Sequence, residues 1–301
     1  LAEDERQDFP TTSTVLENDV FVDDLLTGAD SIAEARQLQR QLIDVLARGG
    51  YELRKWSSNY AELLTDFPRD HCEDPHQFDL EENSGFIKVL GIQWDPRSDH
   101  FTYKVNIPED GPCTKRAILS IIARTYDPSG WIAPVIFRAK VLMQRLWSLR
   151  TSWDAQPPPE IVAEWHHFVS ELHNLEEVRL KRCITAHGTQ NYTLHGFSDA
   201  SEQGYAATVY LRAENHDGRV GIQLLLAKSK VAPLKAKFTI PQLELNGAVL
   251  LTLLVTRVIS CLEKSIDVRE FVGWCDSTIV LAWLKISPHL LQVFEGNRVS
   301  R

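Results

Sequence analysis

The sequence predicts an α+β chain of more than one domain, and three observations predict it. From Asn191 onward, strand-like and helix-like segments follow one another in the order β-β-β-α-β-α. Between Thr114 and Leu175 the apolar residues instead recur at helical spacing. A proline-rich break, AQPPPE at 155–160, is the clearest linker in the chain. With 301 residues, of which 44% are apolar and 24% charged, there is enough chain for two or three domains and a sizeable core.

The elements follow in order. In NDVFVDDLLTGADS, residues 18–31, the apolar run Val20, Phe21, Val22 leads into Asp23 and Asp24, and Leu25 and Leu26 lead away. This reads as a hairpin with two adjacent acids at its turn. Adjacent carboxylates repel unless a cation lies between them and a partner, so the tip is either a solvated turn or a metal site. Ser31 with Glu34 predicts a capping box. The helix behind it carries Ile32, Ala35, Leu38, Leu42, Val45 and Leu46 on one face and ends at Gly49-Gly50. Residues 66–85 are acidic and loop-like. FIKVLGIQWD and HFTYKVNI read as two strands joined by a turn from Asp95 to Asp99. TKRAILSIIART is a helix stopped by YDPSG, and a second helix runs from about Pro134 to Leu149. Past the linker, Ile161, Trp165, Phe168, Leu172 and Leu175 share a helical face. His166 and His173 lie two turns apart, too far for one metal, and with His167 they read as surface or packing residues.

In the last third, NYTLHGFSDAS is a strand, and GYAATVYL and GIQLLLAKSK continue it as a meander. TIPQLELNGAVLLTLLVTRVISCLEK is a long helix opened by Thr239 with Gln242 three residues on. REFVGWCDS is a fourth strand and STIVLAWLK a short helix. No run of about 20 apolar residues predicts a membrane span. Gly247–Leu262 comes nearest, and polar residues such as Thr252, Thr256 and Arg257 interrupt it. No signal peptide opens the chain, which starts at Leu1 and holds Met143 as its only methionine, so it reads as a piece of a longer product. Five scattered cysteines predict a reducing, intracellular setting without disulfides. His71, Cys72 and His76 have no matching second pair and read as a loop.

A net charge of −9 argues against a general nucleic-acid binder, but the charge is unevenly spread. Residues 1–112 hold 10 Lys/Arg against 24 Asp/Glu, whereas residues 113–150 hold 7 against 1. That basic block is either a solvated helix face or a surface for phosphates.

Three acids fall at corresponding structural points of the last third. Asp199 ends the first strand, Glu244 sits in the first turn of the long helix and Asp276 ends the fourth strand. Folded as a mixed sheet with the helix across one face, all three can meet at one edge. Converging carboxylates need hard cations, for which Mg²⁺ is suited. Two such ions about 3.5–4 Å apart would clamp a phosphodiester for in-line attack by water. Three unrelated acids at element ends would look the same, since acids also favour helix N-termini.

FSDAS, LELNGA and WCDST resemble the active-site segments of the ribonuclease H domain of LTR retrotransposons. TKRAILSIIARTYDPSGWIAPVIFRAKVLMQRLW resembles the thumb-side segment of the BEL/Pao retrotransposon pol polyprotein. FVDDLLTGA, YELRKWSSN and KVLGIQWD resemble palm motifs of the same family's reverse transcriptase. The resemblance covers essentially the whole chain, and the thumb-side segment is its most specific part. It implies the C-terminal part of a polymerase palm at 1–112, thumb-like helices at 113–155, a helical connection at 156–189 and a ribonuclease H-like mixed α/β domain at 190–301. It makes Asp23 and Asp24 Mg²⁺ ligands for nucleotidyl transfer, makes Asp199, Glu244 and Asp276 ligands of Mg²⁺ or Mn²⁺ for hydrolysis, and sets Lys115 and Arg116 against nucleic-acid phosphates. The implied partners are an RNA–DNA hybrid or primer-template and other parts of the same polyprotein, in a cytoplasmic particle or the nucleus, with no membrane. The family carries one further palm acid upstream of Leu1 and one further ribonuclease acid downstream of Arg301, so this chain alone is expected to be inactive as a polymerase. An aspartic peptidase, also associated with this region, needs a carboxylate dyad from Asp-Thr/Ser-Gly motifs. SDAS lacks the glycine and no such motif occurs, so peptidase chemistry is rejected. The alternative to an enzyme fragment is a non-catalytic remnant or a host-recruited nucleic-acid-binding module.

Overall fold

Local signals near the N-terminus fix a small helical unit. The computed structural model describes residues 1–73, 87–89, 92–105, 107, 111–185, 189–235, 237–263 and 265–301. They form two compact units, Leu1–Phe101 and Thr102–Arg301. In the first, helix α1 (Pro10–Asn18) begins with a proline, whose missing N–H costs nothing in a first turn. Strands β1 (Val20–Phe21) and β2 (Asp24–Leu25) pair antiparallel, with Val20 opposite Leu25 and Phe21 opposite Asp24. Helix α2 (Ile32–Arg48) starts where Ser31 Oγ accepts the Glu34 N–H and stops at Gly49 and Gly50, the latter at φ +78°. Val15, Leu38 and Leu42 form the buried core of this unit, with Leu16, Leu25 and Leu53 packed on it.

The run FIKVLGIQWD departs from the single strand expected of it. It contains two strands, β3 (Ile87–Val89) and β4 (Ile92–Asp95), paired antiparallel with Val89 opposite Ile92. Its apolar content suits either one long strand or a tight pair, and pairing satisfies backbone groups that a lone strand would leave open. Strand β5 (His100–Thr102) follows the turn. His71 and Cys72 lie against Trp56, with the Trp56 N–H donating to the His71 carbonyl at 2.9 Å. His76, the third member of that cluster, lies outside the described residues.

In the second unit, α3 (Lys115–Arg124), α4 (Ala133–Ser148) and α5 (Pro159–Leu172) share a core of Ile118, Leu142, Leu146, Ile161, Trp165 and Phe168. His166, His167 and His173 are exposed. After the two-residue strand β6 (Leu180–Lys181) come β7 (Thr189–Ser201), β8 (Gly204–Asn215) and β9 (Val220–Val231) as an antiparallel meander. Helix α6 (Ile240–Leu262) crosses one face, and β10 (Val268–Trp274) returns parallel to β7. Helices α7 (Thr278–Trp283) and α8 (Val293–Val299) complete the unit. The strand order is β10-β7-β8-β9.

Both halves of the predicted capping box at Thr239 and Gln242 are present. Leu250, Leu251, Leu254, Val255 and Val258 of α6 bury themselves against Leu194, Val209 and Leu211 of the sheet. Each such side chain contributes roughly 1.5–3 kcal/mol when fully buried. By length and composition alone α6 could cross a membrane; here it serves as the core helix of the sheet.

The free edge of β9 is fastened by the YDPSGW segment. The Ala227 N–H donates to the Ser129 carbonyl at 2.8 Å, and Trp131 Nε1 donates to the Leu225 carbonyl at 3.2 Å. Asp127 fixes that segment by accepting from the Trp131 and Ile132 N–H groups and from the Tyr103 hydroxyl. Burial, with the Asp127 carboxylate beside it, pushes the Tyr103 phenol far above its usual range. Gly130 sits at φ +71°, where a Cβ would lie 1.8 Å from the Ala227 carbonyl oxygen. No rotamer relieves a clash with backbone, so only glycine fits. Gly130→Ala is expected to lower unfolding stability by about 3 kcal/mol or more, combining left-handed strain with the clash. Gly247→Ala serves as the control, since its Cβ would meet nothing closer than 3.5 Å and the helix would gain up to about 1 kcal/mol. Thermal or urea denaturation of the two variants checks this; equal stabilities would overturn it.

Candidate metal centre

The centre is assembled at one end of the sheet. Asp199 lies two residues before the end of β7, Glu244 is in the second turn of α6, and Asp276 lies two residues beyond β10, next to Ser277, which caps α7. Asp276 therefore sits on a connecting loop and not at the strand end expected for it. The approach of α6 to β7 is close because Gly196 has no side chain. A Cβ there would lie 2.5 Å from Leu251 Cδ1.

Glu244 is the buried member, with 7% of its surface exposed, whereas Asp199 and Asp276 are exposed. A carboxylate oxygen of Glu244, one of Asp276 and the Cys275 sulfur lie within 4.8 Å of one another. Burial, and then the charges of Asp199 and Asp276, push the Glu244 carboxyl above its usual range; the Ala200 N–H acts against them. The same N–H lies 2.7 Å from Asp199 Oδ1. Glu244 Oε2 is buried without a hydrogen-bond partner among the described residues. Such an orphaned acceptor is costly, and a divalent cation ligated by oxygen would satisfy it. The donor set therefore fits the hard cation that the sequence suggested. Cys275 was not foreseen in this group. Burial raises its thiol above the usual range, and a lone cysteine beside an acid carries no spacing signal that would have marked it.

Asp23 and Asp24 lie in the other unit. Val22 and Asp23 form the two-residue connection between β1 and β2, and Asp24 opens β2. Both acids are exposed. Val22 is 94% exposed and held at φ +57°, a conformation that β-branched residues avoid.

The basic pair occupies unexpected surroundings. Lys115 is buried, with Nζ 3.7 Å from the centre of the Trp147 ring and 5.0 Å from that of Trp153. These are cation–π contacts within a core position. Arg116 forms a two-pronged bond to Asp154 at 2.7 and 3.1 Å, and this bond holds the Asp154 carboxyl below its usual range. The sequence pattern did not reveal these partners because Trp147, Trp153 and Asp154 lie a helix or more away in the chain.

Comparison with known proteins gives two findings. Residues 114–277 match a family model described as "Pao retrotransposon-like RNaseH-like domain". Among solved structures, the chain is similar to one described as the crystal structure of Prototype Foamy Virus Protease-Reverse Transcriptase in its native form, at 15% identity and a TM-score of 0.21. That match covers 95% of this chain but 34% of the other, so the chain spans about a third of its length. No curated protein matches.

The electrostatics of Glu244 predict a pH-dependent cost in the metal-free protein. A carboxyl whose folded value is raised binds its proton more tightly when folded, so its contribution favours folding below the ordinary carboxylate range and is lost as pH rises. Glu244→Gln, which mimics the protonated form, is expected to be more stable than the parent by about 1 kcal/mol at neutral pH in a chelator. The difference should shrink on acidification. Denaturation curves at two pH values check this, and a variant less stable at neutral pH would contradict it.

Proposed function

The chain belongs to the Pao retrotransposon-like RNaseH-like domain family, and on that premise we propose that its second unit cleaves the RNA strand of RNA–DNA hybrids within a pol polyprotein. The observation that carries this reading is the buried Glu244 carboxylate near Asp276, its Oε2 without a hydrogen-bond partner among the described residues, with the charge of Asp199 acting on it. Asp199, Glu244 and Asp276 are the residues that would hold Mg²⁺ or Mn²⁺. Bound there, the ions would offset the three negative charges and stabilise charge developing on a scissile phosphate. Glu244, fixed by its burial in α6, sets the floor of the centre. Asp199 and Asp276, both exposed, face the solvent from which a hybrid would approach. Asp199 is held by the Ala200 N–H, which limits the positions its carboxylate can take.

The remainder of the pol reading belongs to the same proposal. Asp23 and Asp24 would be palm acids for RNA-templated DNA synthesis, displayed on the exposed β1–β2 hairpin. The helices at 113–155 would act as a thumb. Arg116, 65% exposed at its side chain, would reach a phosphate by exchanging Asp154 for it. Lys115 would act by bracing that helix through Trp147 and Trp153. The chain would then be one segment of a longer pol product, with a further acid supplied from beyond Arg301.

The test is hybrid cleavage. A form extended past Arg301 is expected to cut the RNA strand of an RNA–DNA hybrid with Mg²⁺ or Mn²⁺, and Asp199→Asn is expected to reduce cutting to background. An extended chain inert in both metals, or an Asp199→Asn variant as active as its parent, would remove the ribonuclease reading and leave a non-catalytic binding module in its place.

A further inference from the structure

The loop between β10 and α7 places a thiol beside two of the acids. Among the described residues, Glu244, Cys275 and Asp276 are the one group of His, Cys, Asp or Glu side chains, three or more strong, close enough to share an ion, with ligand atoms within 4.8 Å of one another. The three differ in exposure. Glu244 is buried, Cys275 is half-buried and Asp276 is exposed, so the group is floored on one side and open to water on the other. Glu244 Oε2 is 93% enclosed with the rest of its residue and has no hydrogen-bond partner among the described residues.

Two carboxylates alone would favour a hard cation. A sulfur ligand changes that preference, because thiolates bind Zn²⁺ and Cd²⁺ far better than Mg²⁺. Bond lengths near 2.3 Å to sulfur and about 2.0–2.2 Å to oxygen require donors roughly 3.5 Å apart around a tetrahedral ion. Closing from 4.8 Å to that spacing is within reach of the exposed Asp276 side chain on its loop.

We propose that Glu244, Cys275 and Asp276 form a site for one thiophilic divalent cation, Zn²⁺ or Cd²⁺, with a water molecule as fourth ligand, and that this ion excludes the hard cation of the hydrolytic centre. Binding is coordination without redox change: Cys275 releases its thiol proton to solvent and the metal stays divalent. The exclusion rests on the ribonuclease reading, whereas the soft-metal site itself does not. It would make cleavage sensitive to zinc through a residue that hydrolysis does not use.

The experiment is a Cd²⁺ titration of the whole chain in a background where the exposed Cys183 and Cys261 are serine. The ultraviolet thiolate-to-cadmium band reports on sulfur ligation, and Mn²⁺ binding is followed in parallel by electron paramagnetic resonance. The expected result is a band saturating at one equivalent of Cd²⁺, and Mn²⁺ displaced as it grows. Cys275→Ser should abolish the band and weaken Cd²⁺ binding at least tenfold while retaining Mn²⁺ binding. Glu244→Gln should keep sulfur ligation but weaken Cd²⁺ binding about tenfold. A band unchanged by Cys275→Ser, no band at all, or a Cd²⁺ affinity indifferent to Glu244→Gln would overturn the proposal. Chains that bind Cd²⁺ as described but no Mn²⁺ would instead overturn the hydrolytic reading and leave the soft site standing.

Discussion

A buried carboxylate with one oxygen, Glu244 Oε2, left without a hydrogen-bond partner among the described residues is the constraint around which the second unit is arranged. Glu244 is carried into that position by α6, whose apolar residues bind it to the sheet, and the folding energy of that contact outweighs the local penalty. Left to itself the group would take up a proton or turn outward. It does not turn outward, because the helix that bears it is fixed along its length by Leu250, Leu251, Leu254 and Val258. Such a conflict between local electrostatics and global packing marks functional sites, where stability is given up for chemistry.

The sheet in turn depends on how its edge is finished. A four-stranded sheet with β9 at one side would present unpaired backbone groups to any passing strand. The segment from Asp127 to Trp131 covers part of that edge through Ser129 and Trp131, and α4 continues along β9, where Gln144 donates to the Ala232 carbonyl. The helices read from sequence as a thumb-like block are thus tied to this part of the chain by one backbone hydrogen bond, between Ala227 and Ser129, and by side-chain bonds from Trp131 and Gln144 to backbone carbonyls. The family match, which begins at residue 114 and runs to 277, takes in both.

Much of this was legible in the residues. The strand at GYAATVYL, the capping box at Thr239 and the helical faces of α2 and α5 all match the structure, since each is a local signal with a local cause. So does the convergence of Glu244 and Asp276, because acids at element ends in a β-β-β-α-β-α order have one edge at which to meet. Three further features were not legible, the last two because they depend on partners remote in sequence. FIKVLGIQWD divides into β3 and β4, a choice between pairings that periodicity cannot make. Lys115 is buried because two tryptophans from beyond its own helix enclose it. Gly130 is obligatory because the backbone of β9 passes over it, and the turn signal DPSG predicts a bend without predicting what lies against it.

Anomalous X-ray diffraction from crystals equilibrated with Mn²⁺ tests the central claim most directly, because it locates the ion relative to each carboxylate without relying on turnover. The expected result is an anomalous peak about 2.0–2.2 Å from an oxygen of Glu244, with the ion bonded as well to Asp276 or Asp199. Mn²⁺ density only at other surface acids, with Glu244 Oε2 still buried and unligated, would contradict it.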